Sequence, residues 1–137
     1  NPKKAGTWDR RGMVVGHVQS GKTSNYVGLI NKATDAGYKV IIIIAGTISS
    51  LRRQTQERID SGYIGRNSSA FIRENQNRLI GVGKYKSETD IYSLTSSYYK
   101  SGDEGDFSQS VANRLNIPIG RILLFSLSKR TKVFLKI

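Results

Sequence analysis

The stretch from Gly16 to Thr23, which reads GHVQSGKT, matches the pattern G-x-x-x-x-G-K-[ST] at every specified position. The backbone N–H groups of such a loop wrap a chain of phosphates. Glycines permit this because they adopt positive φ and carry no Cβ atom. A helix that begins at the end of the loop adds the partial positive charge of its N-terminus. The stretch therefore predicts a phosphate-binding loop between a strand and a helix.

The residues on either side of the loop have the patterns that this arrangement requires. Gly12 to Val15 is a short apolar run, which predicts a buried strand entering the loop. From Thr23 to about Ala36, apolar residues recur at spacings of three and four, which predicts an amphipathic helix ended by Gly37. Val40 to Ala45 is an unbroken apolar run, typical of a parallel strand covered on both faces. Together they predict one right-handed βαβ unit.

A second helix is predicted from about Ile48 to Asp60, with Gly62 ending it. The residues expected on its inner face are Ile48, Leu51, Thr55 and Ile59. Those expected on its outer face are Arg52, Arg53, Gln56 and Arg58. This helix would extend the α/β pattern beyond the first unit.

The second half of the chain has weaker patterns. Leu79 to Val82 and Ile91 to Leu94 are predicted as short strands, and Ser96 to Gly105 as a loop. Phe107 to Leu115 is predicted as a short helix, and Arg121 to Leu127 as a buried strand. The expected fold class is α/β, a P-loop NTPase core with an incomplete parallel sheet, in a single partial domain.

The loop residues have distinct expected roles. Lys22 would place its ammonium against the β and γ phosphates as the catalytic lysine, and Thr23 would supply a hydroxyl ligand to Mg²⁺. His17 is expected to contribute its main-chain amide rather than catalysis. The residues expected to bind the cofactors ATP and Mg²⁺ are Gly16, His17, Val18, Gln19, Ser20, Gly21, Lys22 and Thr23.

Composition limits the remaining classes of protein. The sequence has no cysteine and one histidine, which excludes disulfides and thiolate metal sites. The sequence lacks a signal-peptide pattern and a membrane-length apolar run, so a cytoplasmic location is expected. A net charge of +12, from 22 basic and 10 acidic residues, would attract a polyanion such as nucleic acid.

The residues around the loop extend the pattern. Trp8 to Thr23 reads WDRRGMVVGHVQSGKT, and Leu51 to Gln56 reads LRRQTQ. These segments resemble the Z-one domain family, candidate endonucleases found with restriction and phage-defence systems, whose ATPase part is related to helicase superfamily two. The resemblance covers residues 8 to 65 and extends more weakly to Ser93–Ser96 and Asp106-Phe107. The combination of the loop with Leu51 to Gln56 is therefore more specific for one family than the loop alone.

The resemblance implies a translocating or remodelling ATPase that acts on nucleic acid, most plainly DNA, in company with restriction or defence subunits. It implies a first motor lobe like that of superfamily-two helicases. Arg52, Arg53 and Gln54 would donate to phosphate oxygens of the strand, although a solvated helix face would have the same composition. Trp8 could flank the adenine or cover the core.

The chain departs from the family in its acids and in its tail. Hydrolysis needs an Asp or Glu after an apolar strand to hold Mg²⁺ and orient water. No acid follows such a strand here, since Asp90, Asp103, Glu104 and Asp106 all lack one. Residues 121–137 depart from the family pattern, which predicts a truncated or frameshifted end. The sequence therefore predicts a fragment that binds ATP and turns it over little by itself.

Two other classes of function stay open at this point. A nucleotide or small-molecule kinase would need an arginine-rich lid, for which the only candidates are Arg66, Arg73 and Arg78. A non-enzymatic basic module would use the loop to grip the phosphates of nucleic acid, without any effect of ATP.

Overall fold

A computed structural model describes residues 22–44, 48–85, 91–98, 105–107, 109–116, 122–127 and 132–136. The described helices are α1 (Lys22–Asp35), α2 (Ser49–Ile59), α3 (Ser68–Glu74) and α4 (Gln109–Leu115). The described strands are β1 (Val40–Ile44), β2 (Ile91–Ser93), β3 (Ile122–Leu127) and β4 (Lys132–Lys136). A π-helical turn over Asp60–Ile64 continues α2, and a 3₁₀ turn over Gly81–Lys84 precedes β2.

The four strands form one sheet in the order β2-β3-β1-β4. Strand β3 pairs in parallel with β1 on one side and with β2 on the other. Strand β4 pairs antiparallel with the other edge of β1, with Ile42 opposite Phe134. The sheet is therefore mixed, and the expectation of a parallel sheet throughout is wrong at β4. The P-loop NTPase class itself stays a prediction, because residues 12–21 lie outside the described residues.

The apolar core lies between α1, β1 and the end of α2. Its buried members are Ile30, Ile41, Ile43, Ile59, Tyr63 and Ile64. The hydroxyl groups of Thr34 and Tyr63 hydrogen-bond to each other and so join α1 to the π-helical turn. Burial raises the pKa of Tyr63 above its ordinary value. The core thus ties the helix that follows the predicted loop to the first described strand.

The predicted end of α1 and the predicted strand after it are confirmed. The helix ends at Asp35, and Gly37 adopts a φ of 100°, a left-handed conformation that favours glycine. The amide of Gly37 donates to the Thr34 oxygen, and the amide of Tyr38 donates to the Ala33 oxygen. These bonds satisfy carbonyl groups in the last turn, so the chain leaves the helix directly into β1.

The faces predicted for α2 are wrong at four positions. Ile48 and Leu51 are 58% and 48% exposed, whereas Arg52 and Gln56 are buried. The helix also continues past Gly62 through the π-helical turn to Gly65, where φ is 80°. The physical reason is that much of the surface facing α2 is polar, so its buried side carries polar side chains that hydrogen-bond there.

Of the elements predicted after residue 78, some are confirmed and one is wrong. Leu79 makes a single antiparallel bridge to Arg66, and the next residues form a 3₁₀ turn, so the strand predicted over Leu79–Val82 is wrong. The predicted strand at Ile91 is confirmed as β2, and the predicted short helix is confirmed as α4. The strand predicted over Arg121–Leu127 is confirmed as β3.

Candidate phosphate-binding and nucleic-acid sites

The predicted phosphate-binding loop meets the described structure at its last two residues. Lys22 and Thr23 are the first two residues of α1, so a helix begins where the pattern requires one. The residues of the loop that lie outside the described part of the chain are Gly16, His17, Val18, Gln19, Ser20 and Gly21. Trp8, Gly46 and Thr47 also lie outside it.

The charge distribution along α1 suits an anion at its N-terminus. Its first turn contains no acidic residue, and Lys32 lies in its last turn. A helix N-terminus carries a partial positive charge, which an acid there would offset. The partial positive charge at the N-terminus of α1 therefore has no acidic residue of the first turn opposing it.

Arg52 is buried at the centre of a hydrogen-bonded cluster. Its Nη1 donates to the main-chain oxygen of Ser96 at 2.8 Å and to that of Gly105 at 3.1 Å. Its Nη2 donates to the oxygen of Tyr98 at 3.4 Å, and its Nε lies 3.3 Å from Oδ1 of Asp106. One guanidinium group thus holds both ends of the loop that connects Tyr98 to Gly105.

Glycine is required at position 105 by this arrangement. A Cβ atom there would lie 2.5 Å from the Tyr98 oxygen and would collide with the Arg52 guanidinium. The amide of Ser96 also donates to the Gly105 oxygen at 2.9 Å. The segment before the loop and the residue after it are therefore packed together without room for a side chain at position 105.

The predicted nucleic-acid residues occupy different environments. Arg52 is 3% exposed, so its expected place on the solvated face is wrong. The reason is that the carbonyl oxygens of a neighbouring loop supply the acceptors that a phosphate would otherwise provide. Arg53 and Gln54 are exposed, and Arg53 pairs with Glu57 one turn along the helix at 3.4 Å. A nucleic-acid role for Arg53 and Gln54 stays a prediction.

Gln56 links α2 to the segment after β2. Its Nε2 donates to Oδ1 of Asp60 at 2.8 Å and to Oγ of Ser93 at 3.1 Å. Its Oε1 accepts from the Thr95 hydroxyl at 2.9 Å. The Ser93 hydroxyl in turn donates to the main-chain oxygen of Thr95 at 2.7 Å. A buried polar side chain is stable only when its donors and acceptors have partners, and three of these bonds supply them for Gln56.

Asp60 fixes the beginning of α3. Its Oδ2 accepts from the Ser68 amide at 3.0 Å and from the Ser68 hydroxyl at 2.6 Å. Burial raises the pKa of Asp60 from 3.8 to about 6, while the hydrogen bonds from Ser68 and Gln56 lower it. Desolvation outweighs the donors, so this carboxyl group titrates in the range where few other carboxyl groups do.

The cluster lies beyond the carboxyl ends of two parallel strands. Helix α2 follows β1, and Ser93 is the last residue of β2. In open α/β sheets ligands bind at this edge. The structure therefore concentrates polar side chains of α2 and of the segment after β2 where the fold class would place a site.

An open cleft lies beside this cluster, between α2, α3 and Tyr98. Its volume is about 420 Å³, and polar and charged side chains from these elements line most of it. Arg53, Arg78 and Tyr98 contribute to the lining, together with the carboxylates Glu57 and Glu74. The cleft contains one of the predicted nucleic-acid residues, and it is open to solvent.

Two arginines near the cleft stack on aromatic rings. Arg73 lies over the ring of Tyr98, 3.3 Å from its centroid. Arg66 lies 5.2 Å from the centroids of both Phe71 and Tyr92. Cation–π contacts hold these guanidinium planes in place.

The acids that hydrolysis would need are not assembled in the described part of the chain. Within these residues no three histidine or carboxylate side chains come together as a metal site would require. Asp106 is paired with Arg52, and Asp90, Asp103 and Glu104 lie outside the described residues. Of the described acids, Asp60, Glu57 and Asp106 take part in hydrogen bonds or ion pairs, and Asp35 and Glu74 are exposed.

Comparisons of the chain with family models, with curated proteins and with solved structures found no match. Among the described residues, no helix combines the length and apolar character needed to span a membrane.

Sequence reasoning missed the Asp60 network and the loop closure by Arg52. One signal pointed to them, because the resemblance to the Z-one domain family included Leu51–Gln56, Ser93–Ser96 and Asp106. These three segments are distant in sequence and meet in the structure through the bonds of Arg52 and Gln56. The three segments that the resemblance singled out are therefore in contact with one another in the structure.

Proposed function

We propose that this chain is the Mg·ATP-binding part of a nucleic-acid-directed P-loop ATPase of the restriction or defence type. The observation that carries the proposal is the complete pattern from Gly16 to Thr23 with a helix beginning at Lys22. In this proposal the main-chain amides of the loop hold the phosphates, and Lys22 neutralises the β and γ phosphates. Thr23 supplies the hydroxyl ligand to Mg²⁺.

The direction of α1 supports the proposal. Only residues 36–39 connect α1 to β1, and Ile30 packs with Ile41 and Ile43 in one core. The chain therefore reverses between helix and strand, and the first turn of α1 lies toward the end of the sheet where β1 finishes. Phosphates bound at that turn would lie at the carboxyl edge, where ligands of α/β sheets bind.

Hydrolysis is assigned to the whole parent protein rather than to these residues. A P-loop ATPase needs an acid to hold Mg²⁺ and to orient water, and the described carboxylates are committed elsewhere or solvated. We therefore expect ATP binding with little turnover.

The positions of the arginines proposed for a kinase lid argue against the kinase alternative. Arg66 is 7% exposed and lies over two neighbouring aromatic rings, those of Phe71 and Tyr92. Arg73 is stacked on Tyr98. A lid must release its arginines to reach a transferred phosphate, whereas these two are held against rings.

Isothermal titration calorimetry with Mg·ATP tests the proposal. Lys22→Ala is expected to weaken binding by at least about tenfold, because a charge-assisted contact to phosphate is lost. Lys32→Ala is the matched control, since it removes the same charge from the exposed last turn of the same helix. Equal ATP affinities for the wild type and Lys22→Ala would overturn the assignment.

A further inference from the structure

The cleft between α2, α3 and Tyr98 combines groups that recognise different parts of a nucleotide. Arg53 and Arg78 bring two guanidinium groups, which match phosphate oxygens. Asn67, Ser69 and Gln76 add hydroxyl and amide groups that donate and accept. A volume of about 420 Å³ is in the range that holds a small organic group such as a nucleotide.

The charged side chains that line the cleft are two arginines, Arg53 and Arg78, and two carboxylates, Glu57 and Glu74, so their formal charges balance. Glu57 pairs with Nε of Arg53 at 3.4 Å, and the two side chains are 52% and 50% exposed. Exposed pairs of this kind contribute about 0 to 1 kcal/mol, so the Arg53 guanidinium can turn from Glu57 to a phosphate with little loss of ion-pair energy. Carboxylates at this position can also accept from the amino groups of bases. The chain as a whole has a net charge of +12, which adds long-range attraction.

Tyr98 and Arg73 form a stacked pair at the edge of the cleft, in which the exposed Arg73 covers one face of the tyrosine ring. Tyr98 lines the cleft, and the Arg73 guanidinium lies 3.3 Å from the centre of its ring. Aromatic rings and guanidinium planes are the surfaces on which unpaired bases stack. A base in a duplex offers its faces only to its neighbours in the stack, so this surface favours a single strand.

The walls of the cleft are fixed by buried bonds. Arg52 holds the main-chain oxygen of Tyr98, and Asp60 holds the amide of Ser68 at the start of α3. The Ser68 hydroxyl also accepts from the Ser97 amide at 3.3 Å, which joins two sides of the cleft. A ligand would therefore meet a preformed site, and little ordering would be needed on binding.

We propose that this cleft binds single-stranded nucleic acid, with phosphates on Arg53 and Arg78 and a base stacked at Tyr98 and Arg73. The inference rests on the proposed function for its expectation of a nucleic-acid partner, and it gives that partner a site apart from the ATP loop. It also assigns the phosphate contact expected for Arg52 to Arg78 instead. Arg52 becomes a positioning residue that shapes the cleft from behind.

Fluorescence anisotropy with a labelled oligothymidylate of about 12 nucleotides tests the site, in the absence of ATP. The double variant R53A/R78A is expected to bind at least about tenfold more weakly, and its salt slope is expected to fall by about 1.4 for two lost phosphate contacts. The matched control K32A/K39A removes the same charge at two exposed positions, one in the last turn of α1 and one just before β1, and is expected to bind within about twofold of the wild type.

A third variant separates stacking from charge. Tyr98→Leu is expected to weaken binding about tenfold and to leave the salt slope unchanged, because a base loses its ring but no phosphate contact is removed. Circular dichroism checks that each variant is folded, and Arg53 and Arg78 are exposed, so their removal leaves the core intact.

Three outcomes would overturn the proposal that the cleft binds single-stranded nucleic acid. They are equal losses in the two double variants, absence of oligothymidylate binding by the wild type, and equal affinity for a duplex of the same length. Calorimetry with Mg·ATP on the same proteins separates the two proposals. If the protein binds ATP but not the oligothymidylate, only the proposal for the cleft is refuted. If it binds the oligothymidylate but not ATP, only the proposal for the phosphate-binding loop is refuted.

Discussion

The guanidinium of Arg52 and the carboxylate of Asp106 lie 3.3 Å apart, Nε to Oδ1, at the base of a loop that Arg52 also holds at its other end. Side-chain exposure is 4% for Arg52 and 28% for Asp106. The arginines of α2 are predicted to face solvent, but Arg52 is buried and bonded inside the protein. Its neighbour Arg53 remains at the surface, so the two positions give a direct comparison.

Arg52→Met is expected to lower the free energy of unfolding by about 3 kcal/mol, because buried carbonyl oxygens lose a charged donor. Arg53→Met is the matched control on the same helix, and its effect is expected to stay within about 0.5 kcal/mol. Urea denaturation followed by circular dichroism measures both. Equal effects of the two substitutions would contradict the burial of Arg52.

Gly105→Ala is expected to destabilise the fold by about 2 kcal/mol, because its methyl group would collide with Arg52 and with the oxygen of Tyr98. Gly28→Ala provides the opposite case. A Cβ atom at Gly28 meets nothing within 4 Å, and alanine in the exposed middle of α1 should stabilise the protein by about 0.5 to 1 kcal/mol. Thermal unfolding should show the two midpoints moving in opposite directions, and a shift of both in one direction would refute the expectation.

Asp60→Asn is expected to remove a pH dependence of stability. Burial raises the pKa of Asp60 from 3.8 to about 6, so the neutral carboxyl favours folding fully below about pH 3.8. This contribution is lost as the pH rises through about 6, and it amounts to about 3 kcal/mol between the two limits. An amide at this position stays neutral at every pH.

Urea denaturation between pH 4 and pH 7 measures the difference between the wild type and Asp60→Asn. Glu74→Gln is the control, because Glu74 is exposed and its replacement should leave the pH dependence as in the wild type. Parallel pH profiles for the wild type and Asp60→Asn would show that Asp60 does not titrate in the folded protein as expected.

Thr23→Val is expected to weaken ATP binding about tenfold when Mg²⁺ is present and to leave binding without Mg²⁺ unchanged, since only the metal loses a ligand. Thr23→Ser keeps the hydroxyl and should retain the wild-type response to Mg²⁺. Calorimetry with and without Mg²⁺ measures this difference. A loss of the same size under both conditions would point to damage of the helix terminus rather than to a metal ligand.

The bounds of several elements could be predicted from local patterns. Apolar spacing placed both ends of α1 and β1 and the start of α2 within one or two residues of their described positions, and Gly37 ends α1 as expected. These features depend on neighbours in sequence, since helix period and the conformational freedom of glycine act within a few residues.

The faces of α2 could not be predicted in the same way. Periodicity assumes that the buried side of a helix is apolar, but Gln56 is fully buried through bonds to Ser93 and Thr95. Those partners are about forty residues away, and a sequence period contains no information about what packs against it. The cleft could not be predicted for the same reason, because its walls come from separate elements. The antiparallel pairing of β4 could not be predicted either.

The parallel pairing of β1 with β3 has a consequence for biosynthesis. Ile41 lies opposite Leu124, so β1 leaves the ribosome about 80 residues before its parallel partner is made. During that interval the sequence VIIII presents two open edges of isoleucine-rich backbone, a composition prone to intermolecular pairing. Until β3 and β4 have been made, both edges of β1 therefore lack their partner strands, and pairing between nascent chains competes with folding.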